Sequence, residues 1–405
     1  MIYMAIVHPG AQAIDDVLTV LAIFCEGPVQ SISDLRFNDV PLPNAVVRTY
    51  LGTQNQPVDP FIQAYFPLFN ETLPGTAYAV IHIQRQMSEA LTRGFPEITA
   101  VVNGRSVRDP RLGAGVGPVW SINGGTKVVG NNPALCIGDM LENVLGVPVN
   151  DAALINAANY CESQGNTISI AITEKLDGFG WVDVLRSYVP GWCVEINGEW
   201  HVIPDMATPS VGSITPRDID MSTPPSLAQR GPRDMPNVVE VEWTDSSTWP
   251  ATSRIVTAQA ANLHGEVRKS RVMMPGIQAE RQAQRMADLR LAHYQNENIE
   301  GEVIVFDHGV QFVPGDVLAL TLPAFGFVSK PVRVLSCDSV SDGRWRIRWR
   351  AYDDNIYGTP SAVGWVIAQT PINPAAPQWV IAGAPSAPSI EWVLPGVPGA
   401  PAVLV

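Results

Sequence analysis

Charge is scarce in this chain of 405 residues. Charged side chains make up 16% of it, and only four of its 26 basic residues are lysines. Set against 39 acidic residues they leave a net charge of −13, which argues against a surface built to hold nucleic-acid phosphates. Long hydrophobic runs are missing too. The longest near the N-terminus, residues 17–25, is nine residues long, far short of the ~20 that a membrane-spanning helix needs. Asp15 and Asp16 precede it, with no Lys or Arg before them, so it fails as a signal peptide. Five widely spaced cysteines without a CxxC pair fit neither a disulfide framework nor a zinc site. They read as buried free thiols of a protein folded in a reducing cytosol. None of the six histidines stands at ligand-like spacing from another, and no HExxH, GxSxG or EF-hand loop occurs. The glycine clusters at 113–117 and 124–125 lack the order of a phosphate loop and read as turns. No cofactor or enzyme signal remains.

What is present is core-forming and turn-rich. Hydrophobic residues make up 46%, and 33 glycines with 35 prolines exceed the usual share, which suggests many strands joined by turns. Residues 35–43 predict a short strand with an Asn38-Asp39 turn, and 77–84 alternate as a half-buried strand. Residues 98–107 carry Asn103-Gly104, a type I′ hairpin signal. The period then changes. Residues 134–145 predict a helix ended by Gly146 and Pro148, and Asn150 caps a second over 151–161. A strand at 167–173, a helix at 179–189 and a hairpin at Asn197-Gly198 complete an α+β unit. Further on, 237–243 predicts an alternating strand, and 278–294 a long helix with Ala283, Met286, Ala287 and Leu291 on one side. Strands at 302–306, 317–322 and 332–336 precede a hairpin turning at Asp342-Gly343.

That hairpin leaves through Arg344-Trp-Arg-Ile-Arg-Trp-Arg350. On a strand, Arg344, Arg346, Arg348 and Arg350 share one face, and Trp345, Ile347 and Trp349 the other. The arginines could hold phosphates. With so negative a chain, the favoured reading is an amphipathic strand whose Trp face enters the core while the Arg row pairs with acidic neighbours. Beyond residue 355 the chain holds one charge, Glu391, and nine prolines, with Trp365, Trp379 and Trp392 recurring at spacings of 14 and 13. Such a segment is expected to lie extended on a neighbour. These arginines and tryptophans are the candidate assembly residues.

The order of several segments resembles a known family. Cys25-Glu-Gly-Pro-Val29 followed by Phe37-Asn-Asp-Val-Pro-Leu42, then Asn132-Pro-Ala-Leu135 and Asn159-Tyr160-Cys161, then Trp181-Val-Asp-Val-Leu-Arg186, are similar to blocks of the tail-tip hub proteins of long-tailed bacteriophages. This is the phage lambda tip attachment protein J-like family. Gln284-Arg-Met-Ala-Asp-Leu-Arg-Leu291 and Val310-Gln-Phe-Val-Pro-Gly-Asp-Val317 extend the likeness, which runs from about residue 22 to 340.

The resemblance implies a mainly β, α+β chain with two β-barrel-like tube domains, an inserted α+β domain and an extended Pro/Trp-rich C-terminal tail. Boundaries are expected at 1–21 (N-terminal segment), 22–125 (first tube domain), 126–205 (insertion), 206–360 (second tube domain, with helix 278–294) and 361–405 (tail). It implies a structural homotrimer of the virion, made in the host bacterial cytoplasm, that closes the distal end of the tail tube. Expected partners are distal tail and tail-tube proteins, a tail fibre or receptor-binding protein, and the tape measure protein, with no specific nucleic-acid binding. A negative hub would also suit a channel that DNA crosses without sticking. Lambda-type members are much longer, so receptor recognition is expected of a separate fibre anchored to the tail. Two other readings stand beside the hub: a receptor-binding adhesin acting through its C-terminal tail, and a cell-wall hydrolase.

Overall fold

The fold is that of a computed structural model, which describes residues 3–9, 16–41, 45–65, 71–84, 97–112, 127–173, 176–231, 235–263, 265–307, 311–340, 342–357, 391–392 and 403–404. The chain divides into two compact units, Met1–Val366 and Ile367–Val405. The first opens with strands β1 (Tyr3–Pro9), β2 (Asp16–Glu26), β3 (Val29–Phe37), β4 (Val40–Pro41) and β5 (Val46–Leu51). The short helix α1 (Pro60–Tyr65) and strands β6 (Thr76–Gln84), β7 (Ile98–Arg108) and β8 (Lys127–Val129) follow. They make two four-stranded sheets, ordered β1-β2-β6-β5 and β4-β3-β7-β8.

Val20, Ala22, Ala79, Ile81 and Ile83 of the first sheet pack on Phe37 and Ile98 of the second. On the other side, Leu21, Tyr78 and Val80 pack on Ile62 of α1. Burial of both faces explains why β2 reads as an unbroken apolar run. The Asn38-Asp39 turn forms as expected, with φ of 48° and 65°. The hairpin expected at Asn103-Gly104 does not. β7 runs straight through it, Asn103 standing opposite Ser31 of β3 and donating from Nδ2 to Ser31 Oγ at 2.7 Å. Pairing along the whole length of β3 outweighs the turn preference of two residues.

The helical segment holds α2 (Pro133–Asp139), continued by a π-helical turn (Met140–Val144), then α3 (Asp151–Gln164) and α4 (Gly178–Arg186). Asn132, Asn150 and Asp177 cap these helices, each accepting a backbone N–H. Strands β9 (Gly191–Ile196) and β10 (Glu199–Pro204) form the hairpin at Asn197-Gly198, with φ of 54° and 84°. The strand expected at 167–173 is absent. The segment is pinned singly instead, Ile168 N–H to the Asn131 carbonyl, Ser169 N–H to that of Gly276, and Thr167 to the buried Gln282 side chain.

Strands β11 (Ser210–Ile214), β12 (Ser226–Gln229), β13 (Val238–Asp245), β14 (Thr252–Gln259) and β15 (Lys269–Met273) lead to α5 (Glu280–Asn296). β16 (Ile299–Val305), β17 (Val317–Leu322), β18 (Phe327–Ser339) and β19 (Trp345–Ala351) complete the unit. A three-stranded sheet, β14-β13-β15, carries α5 on one face, and a six-stranded sheet runs β11-β17-β18-β19-β16-β12. In the second unit, β20 (Glu391–Trp392) pairs with β21 (Val403–Leu404).

The chain is mainly β with few helices, in several sheets. The barrel-like closure expected of it does not form: among the described residues every sheet is open. The helices do not keep a core to themselves. Leu154, Ala157, Val182 and Leu185 share one with Val239 and Val241 of β13 and Met286 and Leu291 of α5. A second core, with Ile214, Leu318, Val334, Ile347 and Trp349, fills the six-stranded sheet.

A buried ion pair joins β7 to the helices. Arg108, 3% exposed, bonds both Glu142 oxygens and Asp151 at 2.6 Å. Burial works against its charge, but the bonds to Glu142 and Asp151 prevail and raise its pKa. Removing one partner of such a pair strands a buried charge. Glu142→Ala is expected to cost about 3–5 kcal/mol in urea denaturation. Asp151, whose side chain is 55% exposed, should cost no more than about 1 kcal/mol on the same change.

Candidate functional site

The arginine run forms β19 with the expected split of faces. Ile347 and Trp349 are buried, at 0% and 1% exposure, and Trp345 packs beside them. Every arginine of the opposite row meets a carboxylate. Arg344 bonds Asp220 at 2.7 Å and lies 3.4 Å from Asp342. Arg346 and Arg348 share Glu302 of neighbouring β16, at 3.0 and 3.3 Å. Arg350 reaches Asp205 at 2.6 Å and Glu297 at 2.9 Å. The row therefore pairs with acidic neighbours, and its charge is spent inside the protein.

Burial grades along the row. Arg348 is 60% exposed, whereas Arg350 is 20% exposed and belongs to a buried cluster around Asp205. There the Tyr357 hydroxyl donates to Asp205 Oδ1 at 2.6 Å, and Arg333 of β18 stands 3.5 Å from the same oxygen. Arg333 is fully buried. It donates to the carbonyls of Met206 (2.6 Å) and Gly315 (2.7 Å), and its guanidinium lies 4.5 Å from the Tyr352 ring centroid. His293 of α5 bridges the carboxylates, with Nδ1 2.7 Å from Glu297 and Nε2 3.5 Å from Asp205. Burial first, then the nearness of Asp205 and Glu297, pushes the Tyr357 hydroxyl pKa up, so it stays a donor. Burial alone would lower the Arg350 pKa; Asp205 and Glu297 outweigh it and keep the guanidinium charged.

None of the cluster but Arg350 was marked by the sequence. Arg333 carried a weak signal, as the one charge in the apolar run 331–336. Asp205, Glu297 and Tyr357 carried none, because their meeting with Arg350 or with one another joins residues more than 50 positions apart. Trp365 and Trp379 lie outside the described residues, and Trp392 falls in the two-residue strand β20. The cysteines are free, but not all are buried: Cys161 is, Cys136, Cys193 and Cys337 are half-buried, and Cys25 is exposed. Burial pushes the Cys136 and Cys161 thiols up to about 12.

Beside the cluster lies a concavity of about 100 Å³ lined by Arg230, His293, Glu297 and Arg350. Another, of about 360 Å³, is lined by Asn237, Asn262, Arg268 and Gln295. Among the described residues no group of three His, Cys, Asp or Glu is placed to hold a metal. No described helix is long and apolar enough to cross a membrane.

Two outcomes follow from the graded burial. Arg350→Ala removes the one guanidinium that Asp205 and Glu297 share and should cost about 3–5 kcal/mol. Arg348→Ala, two residues along the same strand, should cost less than about 1 kcal/mol in the same denaturation experiment. At the other end of the row, hydrogen bonds from Ser222 and Arg344 lower the Asp220 pKa from 3.8 to about 2. Its ionised form is thus favoured by the fold, so this contribution is complete above the unfolded carboxylate range and is lost as pH falls through about 2. The stability advantage of the native chain over Asp220→Asn should shrink between pH 4 and pH 2, as read by urea titrations at each pH.

Residues 180–348 match the model of a family described as putative phage tail protein. No curated protein matches the sequence. The structure is similar to a chain of the virion of a native gene transfer agent particle, with a TM-score of 0.69 at 14% identity, covering 89% of this chain and 83% of that one. Lower scores relate it to the 43 kDa tail protein of prophage MuSo2 from Shewanella oneidensis (TM-score 0.38, 9% identity, 88% and 95% covered). A tail protein from Neisseria meningitidis MC58 scores 0.34 (12% identity, 88% and 98% covered). At such identities the likeness is one of fold: the chain shares the fold of a gene transfer agent virion chain, and its residues 180–348 resemble the phage tail family.

Proposed function

We propose that this chain is a structural, non-enzymatic component of a phage or gene transfer agent tail, and that it serves there as the hub of the tail tip. In this reading a homotrimer closes the distal end of the tail tube. It contacts distal tail, tail-tube and tape measure proteins and anchors the fibre or receptor-binding parts. The observation that carries the reading is the fold shared with a gene transfer agent virion chain over 89% of this sequence. The family match over 180–348 supports it.

The architecture suits the role. The proposed tube domains (22–125 and 206–360) draw support from two β-rich bodies, one built from β1–β8 and one around the six-stranded sheet. Helices α2, α3 and α4 fall within the proposed insertion, 126–205. Open sheets suit a ring completed by neighbouring subunits. The proposed assembly surface uses the exposed side of the arginine row, Arg346 and Arg348, and the C-terminal tryptophans Trp365, Trp379 and Trp392. A net charge of −13 suits a channel through which DNA passes.

Cryo-electron microscopy of the tail tip, or of the recombinant chain with its neighbours, tests the reading. The expected result is three copies around a channel, each giving two β-rich bodies to one ring. A monomer placed away from the tube axis would overturn it.

A further inference from the structure

We infer that the tip of the β17–β18 hairpin is a lipid-inserting finger. The argument starts from its sequence. Residues 317–329 contain no charged side chain, and the tip reads Pro323-Ala-Phe-Gly-Phe-Val328. A one-turn 3₁₀ helix (Pro323–Phe325) reverses the chain, and Gly326 closes it at φ 73°. Space around Gly326 is open: a side chain there would meet nothing within 4 Å.

Val328 is 81% exposed, the highest value for a large hydrophobic residue among the described residues, and Phe325 is 42% exposed. Their presentation is built in. Phe327 between them is anchored inward, edge-on to the buried Trp349 with ring centroids 6.1 Å apart. The Phe325 ring stands 6.4 Å from that of Phe327.

Two further observations select lipid as the occupant. Two backbone donors at the tip are satisfied within it, Gly326 N–H by the Pro323 carbonyl at 3.0 Å and Ser329 N–H by Thr321 Oγ1 at 3.1 Å. Backbone entering an apolar phase has to meet that condition. At the base of the tip, Lys330 holds its ammonium 4.6 Å from the Phe327 ring centroid, a cation placed beside the apolar tip where headgroup phosphates would lie.

The inference stands apart from the proposed hub role and is tested on the isolated full chain. Flotation is measured with phosphatidylcholine vesicles, with and without phosphatidylglycerol. The native chain should float, and the Phe325→Ser/Val328→Ser double variant should bind at least about tenfold less with unchanged circular dichroism. Lys330→Glu should lose the added binding to phosphatidylglycerol. An environment-sensitive dye on Ala324→Cys, in a Cys25→Ser background, should shift to the blue on vesicle addition. Absence of flotation by the native chain, equal flotation by the double variant, or an unshifted dye on floating protein would each overturn the inference. So would a double variant that changes only self-association, which would assign the tip to a protein contact.

Discussion

One buried carboxylate, Asp205, holds the two largest cores in register. Its backbone belongs to the helical core: its N–H donates to the Pro190 carbonyl at 2.7 Å, and its own carbonyl accepts from the Tyr160 hydroxyl at 3.3 Å. Its side chain belongs to the six-stranded sheet, through Arg350, Arg333 and Tyr357. Taking such charges out of water is costly, and their mutual attraction repays it only when the remaining donors are satisfied. The carbonyls of Met206 and Gly315 do this for the two terminal nitrogens of Arg333, whose buried Nε is left without a hydrogen-bond partner. A junction of this kind adds little net stability compared with an apolar one, but it admits one arrangement only.

The same economy governs the rest of the charge. With 16% charged residues, the chain spends many of its cations on internal partners: Arg108 on Glu142, Arg346 and Arg348 on Glu302, Lys269 on Glu240, Arg271 on Glu242. Little positive charge is left unpaired on the described surface. Such a surface packs against protein neighbours more readily than it collects nucleic acid, which agrees with the negative balance of the whole sequence.

Local signals in the sequence were legible where the structure is local. The turns at Asn38-Asp39, Asn197-Gly198 and Asp342-Gly343 need positive φ at both central residues, and all three adopt it. Helix α5 and the two faces of β19 follow from spacing alone. Where long-range pairing competes, the signal fails. Asn103-Gly104 has the same turn chemistry but is held straight by β3, and residues 167–173 alternate like a strand yet find no ladder to join. The shared core, running from Val107 to Leu291, and the cluster around Asp205 were illegible for the same reason. A residue's neighbours across 100 positions decide whether its charge is buried, and no local pattern records them.

The coupling of the two cores through Asp205 is tested most directly by calorimetry of the full chain carrying Asp205→Ala. The account predicts that the single transition joining the helical core and the six-stranded sheet in the native chain splits in two, the sheet melting apart from the helices. A single transition, shifted to lower temperature but still undivided, would contradict it and reduce the junction to one stabilising contact among many.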